Sequence, residues 1–213
     1  MKLIAVAAQL ANGKDEFCNH LAKVLNDEKH EWERSAFADA VKNTFCQAFG
    51  VDRDFIENWK RVSEPPPGFL LPIRQCLQFI GDGYRKIRDE IWIEIALRGD
   101  SNKIISDSRY FNEAKAVRER KGLVFLMYRP GFINDDPNPS ESQIRPLVDF
   151  CRNNNISEGP IDFKALKEKY GNACPNALQY YHYWFANDGT LSDLKHKTAT
   201  KIAPFVDEFF RKF

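Results

Sequence analysis

The 213-residue chain lacks an excess of either charge: 31 lysines and arginines stand against 30 aspartates and glutamates. That balance excludes, at the level of composition, a surface built to coat nucleic acid, and leaves open only a local basic pocket. Paired cysteines are also lacking. The five cysteines (Cys18, Cys46, Cys76, Cys151 and Cys174) are odd in number and form no C-x-x-C, so they read as reduced thiols of a cytosolic protein, mostly buried or incidental. No signal-peptide core and no apolar run of membrane-spanning length is visible, so the expectation is a soluble, cytoplasmic protein that does not engage a membrane. Repeats and low-complexity segments are absent as well, and the length suits one domain with an insertion better than two.

What is present alternates. Lys2–Ala8, Lys103–Ser106 and Leu123–Tyr128 are continuous apolar, β-rich runs, the pattern of strands buried on both faces of a parallel sheet. Trp32–Phe37 and Tyr183–Ala186 are shorter candidates. Between them the apolar spacing predicts helices over Lys14–Asn26, Ala38–Phe49, Pro72–Ile80, Glu90–Leu97, Asn112–Arg120 and Leu191–Arg211. Such β/α alternation predicts an α/β layered fold. Glu64-Pro-Pro-Pro-Gly68 and Arg129-Pro-Gly-Phe-Ile-Asn-Asp-Asp-Pro-Asn-Pro139 are loops, the second suited to a mobile cover at about 129–140. Residues 141–182 are polar and irregular with helical patches such as Asp162–Tyr170, and read as an insertion.

Chemistry concentrates at strand ends. Leu3–Glu16, LIAVAAQLANGKDE, runs strand, turn, Gly13-Lys14, helix, which is the layout that cradles polyphosphate on N–H groups at a helix start. Against G-x-x-x-x-G-K-[ST], Ala8 replaces the first glycine and Asp15 the hydroxyl residue. Gly-Lys alone is equally compatible with an exposed lysine at a helix start. Asp107 closes the apolar strand Lys103-Ile-Ile-Ser, where ligands bind in parallel sheets and an acid holds Mg²⁺ through water or orients an acceptor. Arg109 follows within reach of the same anion; a surface salt bridge is the alternative for both. Arg74, Arg85 and Arg129 recur beside loops, as phosphate-binding guanidiniums do. Asn187-Asp-Gly-Thr190 reads as a turn with Thr190 as N-cap, or as a loop around a nucleobase.

The order of these stretches resembles the phage-type deoxynucleoside monophosphate kinases, P-loop kinases related to dephospho-CoA kinase and adenylate kinase. The stretches are Gly13-Lys14-Asp15, Phe37-Ala-Asp39-Ala-Val-Lys42, Arg74 to Gly81, Gly83-Tyr-Arg85, Ile91-Trp92, Asp107-Ser-Arg109-Tyr-Phe-Asn112-Glu113-Ala114 and Asn187 to Leu194. The resemblance implies a three-layer fold with a parallel sheet flanked by helices, a lid loop and a mostly helical insertion, all one domain over 1–213. It implies ATP and Mg²⁺ as cofactors and small-molecule nucleotides as partners, with no direct nucleic-acid binding. A homodimer follows by analogy, and a host cytoplasm if the chain is phage-encoded. Lys14 would bind the β/γ-phosphates, with Ala8, Asn12, Gly13 and Asp15 in the cradle and Asn187, Gly189 and Thr190 on the adenine side. Phe37, Asp39, Lys42, Arg74, Gln78 and Arg85 would take the acceptor. Asp107, also the indirect metal residue, and Arg109 would stand between donor and acceptor, with Arg129 as the lid arginine.

Two letters depart from that family. Glycine is usual where Ala8 stands and threonine where Glu16 stands. A Cβ at Ala8 matters only if the position needs positive φ or close phosphate approach, whereas a carboxylate at Glu16 repels a triphosphate unless a cation intervenes. Two other readings therefore stay open. One is a kinase-fold protein without catalysis that serves as a nucleotide-binding or assembly component, and the other is a P-loop kinase for a different small phosphorylated acceptor.

Overall fold

The computed structural model describes residues 1–9, 11–26, 31–132 and 142–212. In chain order the strands are β1 (Leu3–Ala7), β2 (Trp32–Ser35), β3 (Asn102–Ser108), β4 (Leu123–Tyr128), β5 (Gly159–Pro160) and β6 (Tyr183–Ala186). The helices are α1 (Lys14–Leu25), α2 (Phe37–Phe49), α3 (Arg53–Trp59), α4 (Ile73–Ile87) and α5 (Ile91–Ala96), then α6 (Phe111–Glu119), α7 (Arg145–Asn153), α8 (Phe163–Tyr170), α9 (Leu191–Lys197) and α10 (Ala203–Phe210). They form two compact units, Met1–Ser35 with Gly99–Phe213, and Ala36–Arg98.

The first unit is an α/β layered fold on a mostly parallel six-stranded sheet of order β2-β3-β1-β4-β6-β5, in which only β5 runs antiparallel to its neighbour. Every residue of β1 and β6 is buried, as continuous apolar runs demand of inner parallel strands. Phe17 of α1 reaches onto the sheet, 5.8 Å from Phe125 and 5.0 Å from Phe185 between ring centroids. β1 leads through α1 to β2, and β3 leads through α6 to β4 on the other side. The chain direction therefore reverses between β1 and β3, and the carboxyl ends of those strands frame a crevice. Along that seam Ala5 faces Ile105 but Ala7 faces Ser108. The extra residue is a bulge in β3, which re-aims the side chains beside it.

The second unit is helical. Phe45, Ile56 and Ile73 form one apolar cluster, and Ala40, Val41 and Trp92 another.

Several expected boundaries move. β2 stops at Ser35, because Phe37 already opens α2. α4 does not end at Ile80; it passes Gly81 and Gly83 to Ile87, so Arg85 sits inside a helix and not beside a loop. The Gly81 carbonyl accepts the Trp92 indole N–H at 2.9 Å, a tertiary contact that outweighs glycine's weak helix propensity. α3 was not expected; Asp52 caps it by accepting from the Phe55 N–H at 2.7 Å. Residues 142–182 hold α7, α8 and β5. The helix expected over Leu191–Arg211 is interrupted by a π-turn at Thr198–Ile202, where Pro204 has no N–H to return to the carbonyl four residues back. Of the expected lid, residues 133–140 lie outside the described residues, as does residue 141 of the insertion. No helix among the described residues is long and apolar enough to cross a membrane.

Candidate functional site

The candidate loop is folded by its own main chain. The Gln9 carbonyl accepts from Asn12 Nδ2 at 3.1 Å and from Lys14 Nζ at 2.9 Å, closing the turn between β1 and α1. Ala11 (φ 59°) and Gly13 (φ 86°) are left-handed, and Gly13 precedes the first residue of α1. Alternation of such residues turns successive N–H groups toward one point, a nest for an anion, at a helix N-terminus that adds its own partial charge. Ala8 does not share the left-handed conformation. It is fully buried within the sheet's apolar cluster, so the missing glycine there brings no backbone strain. Glu16 is exposed on the first turn of α1.

Asn12, only 2% exposed, joins three strand ends. Its Oδ1 accepts from the Arg129 N–H beyond β4, and its carbonyl accepts from Asn187 Nδ2 beyond β6 at 3.0 Å. Asn187 in turn donates its N–H to the Tyr128 carbonyl at 2.7 Å. A Cβ on Gly13 would lie 2.6 Å from Asn187 Nδ2, so glycine is required there both for its φ and for this approach.

Charged groups gather at the β1–β3 seam. Burial raises the Cys18 thiol pKa well above its ordinary value, with Arg34 and Lys14 opposing the rise and Asp15 and Asp107 adding to it. Lys14, Asp15, Arg34 and Asp107 thus all act electrostatically on one buried thiol. Asp15 pairs with Arg34 at 2.5 Å. Two side-chain atoms at the same strand ends, Gln9 Nε2 and Ser108 Oγ, are buried with no hydrogen-bond partner among the described residues. After Asp107, Glu113 accepts from the N–H groups of Arg109 (2.8 Å) and Tyr110 (3.1 Å), capping α6 and fixing the turn that carries Arg109.

The loop after β6 is held by residues that sequence reasoning did not single out. Lys197 Nζ donates to the Ala186 carbonyl (2.7 Å), to Asp188 (3.2 Å) and to Glu158 (3.1 Å), and Glu158 also accepts the Ala186 N–H at 3.1 Å. Glu158 belongs to the insertion, which therefore braces this loop. Thr190 and Asp193 form a reciprocal capping box at the start of α9.

In the second unit Arg74, Gln78 and Arg85 lie along one face of α4, four and seven residues apart. Asp39 receives Arg53 at 2.5 Å, and Lys42 pairs with Glu57 at 3.0 Å. Both partners come from α3. Phe37 is buried at the start of α2.

Among the described residues no cluster of three or more His, Cys, Asp or Glu side chains could hold a metal ion by itself. Mg²⁺ in phosphate sites takes one or two carboxylates and completes its shell with water and substrate oxygens; Asp107, near the carboxyl end of β3, suits that mode.

No family model matches the chain. It is similar to a putative deoxynucleotide monophosphate kinase of Acanthamoeba polyphaga mimivirus, with 25% identity over 170 residues, covering 70% of this chain and 86% of the viral protein. Among solved structures, dephospho-CoA kinase from Campylobacter jejuni aligns over 98% of this chain and 99% of its own, with 15% identity and a TM-score of 0.43.

Proposed function

We propose that the chain is a P-loop kinase that transfers the γ-phosphoryl group of ATP to a deoxynucleoside monophosphate. The observation that carries this reading is the turn between β1 and α1, where left-handed Ala11 and Gly13 lead into the first turn of α1 and Lys14 Nζ is held on the Gln9 carbonyl. The orphaned donors Gln9 Nε2 and Ser108 Oγ support it, because buried donors at strand ends call for an acceptor from a ligand or a water. The viral relative's name supports the same class of acceptor. Exposure of Glu16 and the unstrained Ala8 weigh against a loop that has lost its donor.

The assigned roles follow from charge and reach. Lys14 and the loop N–H groups hold the donor phosphates and neutralise their charge. Asp107 would hold Mg²⁺ through water, and the ion would supply neutralisation of the phosphate charge. Arg109, fixed by the Glu113 cap, offers a guanidinium to the transferring group. Arg129, whose N–H is tied to Asn12, brings a second one. Arg74, Gln78 and Arg85 hold the acceptor. Little covalent chemistry is asked of the protein in such a transfer, so positioning and charge neutralisation supply most of the rate.

The test is ADP formation by purified protein with ATP, Mg²⁺ and each of the four deoxynucleoside monophosphates. Turnover with at least one is the expected result. ATP binding without ADP formation from any of the four would overturn the acceptor assignment, and a wider panel of small phosphorylated acceptors would then separate another kinase from a nucleotide-binding protein.

A further inference from the structure

The insertion reaches the loop after β6 from a fixed seat. The Ile156 carbonyl accepts the Trp184 indole N–H at 3.0 Å, Gly159 pairs with Trp184 across β5 and β6, and the Ile161 N–H donates to the His182 carbonyl at 2.9 Å. Trp184 itself stacks on Tyr128, with ring centroids 4.5 Å and planes 5° apart. Glu158 stands between these anchors, and its carboxylate spans two groups: Oε1 accepts the Ala186 N–H and Oε2 the Lys197 ammonium. Lys197, the last residue of α9 before the π-turn, donates to the Ala186 carbonyl and to Asp188. Both main-chain polar groups of Ala186 are thus held by charged side chains from outside the loop, and such charge-assisted bonds are roughly twice as strong as neutral ones. The next residue, Asn187, reaches across: its Nδ2 donates to the Asn12 carbonyl, immediately before Gly13.

We propose that Glu158 and Lys197 are positioning residues for the phosphate loop, acting through Asn187; this rests on the reading of that loop as the ATP site. The Asn12 carbonyl and the Gly13 N–H belong to one planar trans peptide unit, so they point in opposite directions and turn together. A donor fixed on the carbonyl therefore fixes where the Gly13 N–H points. Asn187 is that donor, and Glu158 and Lys197 fix where Asn187 stands. Releasing Ala186 leaves Lys14 on the Gln9 carbonyl but lets the Asn12–Gly13 peptide rock, which misaligns a donor group for phosphate without touching the transfer step. The insertion thereby gains a role at the donor site: it sets ATP affinity. A brace without the Asn187 link would alter stability alone.

Calorimetric titration of the full chain with ATP, together with initial rates, tests this. Glu158→Ala should raise Kd and KM for ATP about tenfold, as substitutions along a coupling network do, with kcat and the acceptor KM unchanged. Lys197→Met should weaken ATP binding to a similar degree. Glu158→Gln keeps an acceptor for the Ala186 N–H and should stay within about threefold of wild type. Because the effect passes through Asn187, Glu158→Ala should add nothing further in an Asn187→Ala background, the non-additivity of residues that share one network. A wild type that binds no ATP overturns the kinase reading and this inference with it. If the wild type binds ATP and Glu158→Ala binds it equally well, this inference alone is overturned, as it is if the Glu158→Ala loss recurs in full without Asn187.

Discussion

The two units hold their candidate residues by different means. In the sheet unit, Asn12 and Lys14 are 2% and 7% exposed, and main-chain groups fix them: the Gln9 carbonyl, the Arg129 N–H and the carbonyl of Asn12 itself. In the helical unit, Asp39 and Lys42 are held by side-chain ion pairs to Arg53 and Glu57 at partly exposed sites. Surface pairs of that kind are worth about 0–1 kcal/mol, whereas a buried polar group deprived of its partner costs about 1–3 kcal/mol. The lesson is one of division: the proposed phosphate loop is built into the backbone and tolerates little change, while the proposed acceptor end rests on exchangeable side chains that can be retuned cheaply.

The largest test of that division is Lys14→Ala. A positioned charge aimed at the transferring group contributes about 10³-fold, roughly 4 kcal/mol, in kcat. Initial rates should fall by that order, with little change in melting temperature, since Asn12 still occupies the Gln9 carbonyl. Turnover within about tenfold of wild type would place the phosphate charge elsewhere and break the comparison.

Acid offers a second test, because the two units titrate in different windows. His182 Nδ1 accepts the Val124 N–H at 3.1 Å, and burial together with Arg118 lowers its pKa from 6.5 to about 4. Between those values the unfolded chain binds a proton that the folded chain refuses, so stability is complete above pH 6.5 and falls as pH drops toward 4. At 1.36 kcal/mol per pKa unit the full loss is about 3 kcal/mol. In the helical unit, Glu57 is lowered to about 2 by its hydrogen bond from Lys60, then that from Lys42. Its contribution is present above pH 4.5 and is lost only below it, and solvent screens it at this exposed site. Between pH 6.5 and 4.5 denaturant unfolding should therefore weaken the sheet unit while the helical unit holds, and His182→Gln should flatten that dependence. An unchanged slope in the variant would locate the titrating group elsewhere.

How far these features could be read in advance follows the same division. β1, β3, β4 and β6 were legible because inner parallel strands must be continuously apolar, and the Gly-Lys and Asp107 strand ends were placed with them. The α/β alternation survived intact. What the loop is made of was not legible, because the Gln9 carbonyl and Arg129 N–H are main-chain groups that every residue possesses. Only the identity of Asn12 hinted at a partner. In the helical unit α3 escaped notice, since seven residues with three apolar positions show barely one period, and Asp52 was its only clear signal. α4 extends past Gly81, where glycine alone speaks for a stop, because the Trp92 indole that donates to the Gly81 carbonyl comes from eleven residues along the chain. α7 had a readable pattern, Ile144, Leu147, Val148 and Cys151, hidden within a polar stretch. The brace of Glu158 and Lys197 joins residues 39 apart, beyond any local pattern.

A smaller effect is expected from Arg53→Ala. It removes the donor to the Asp39 carboxylate and carbonyl and to Asn43, all at a site about two-fifths exposed. The stability loss should be about 1 kcal/mol, and KM for the acceptor should rise a few-fold with kcat nearly unchanged. A fall in kcat comparable to that of Lys14→Ala would mean that the helical unit's contacts are as fixed as those of the sheet unit.

The smallest effect comes from two positions that differ in little but a methyl group. Ala11 in the sheet unit and Gly50 after α2 both sit in the left-handed region, at φ 59° and 65°. Alanine there costs about 1 kcal/mol relative to glycine through its Cβ. Glycine, in exchange, loses about 0.4–1 kcal/mol more backbone entropy on folding. For Ala11→Gly the two nearly cancel, so the melting temperature should rise by no more than the equivalent of a few tenths of a kcal/mol. Gly50→Ala, where a Cβ meets nothing within 4 Å, carries the same small difference with the opposite sign. ATP affinity separates the pair. A loop already held by Asn12 and Lys14 gains nothing from extra freedom at residue 11, so Ala11→Gly should leave binding by calorimetry unchanged. Weakened binding would show that the methyl group itself stiffens the loop, and that the main-chain bonds around Gln9 do not suffice to hold it.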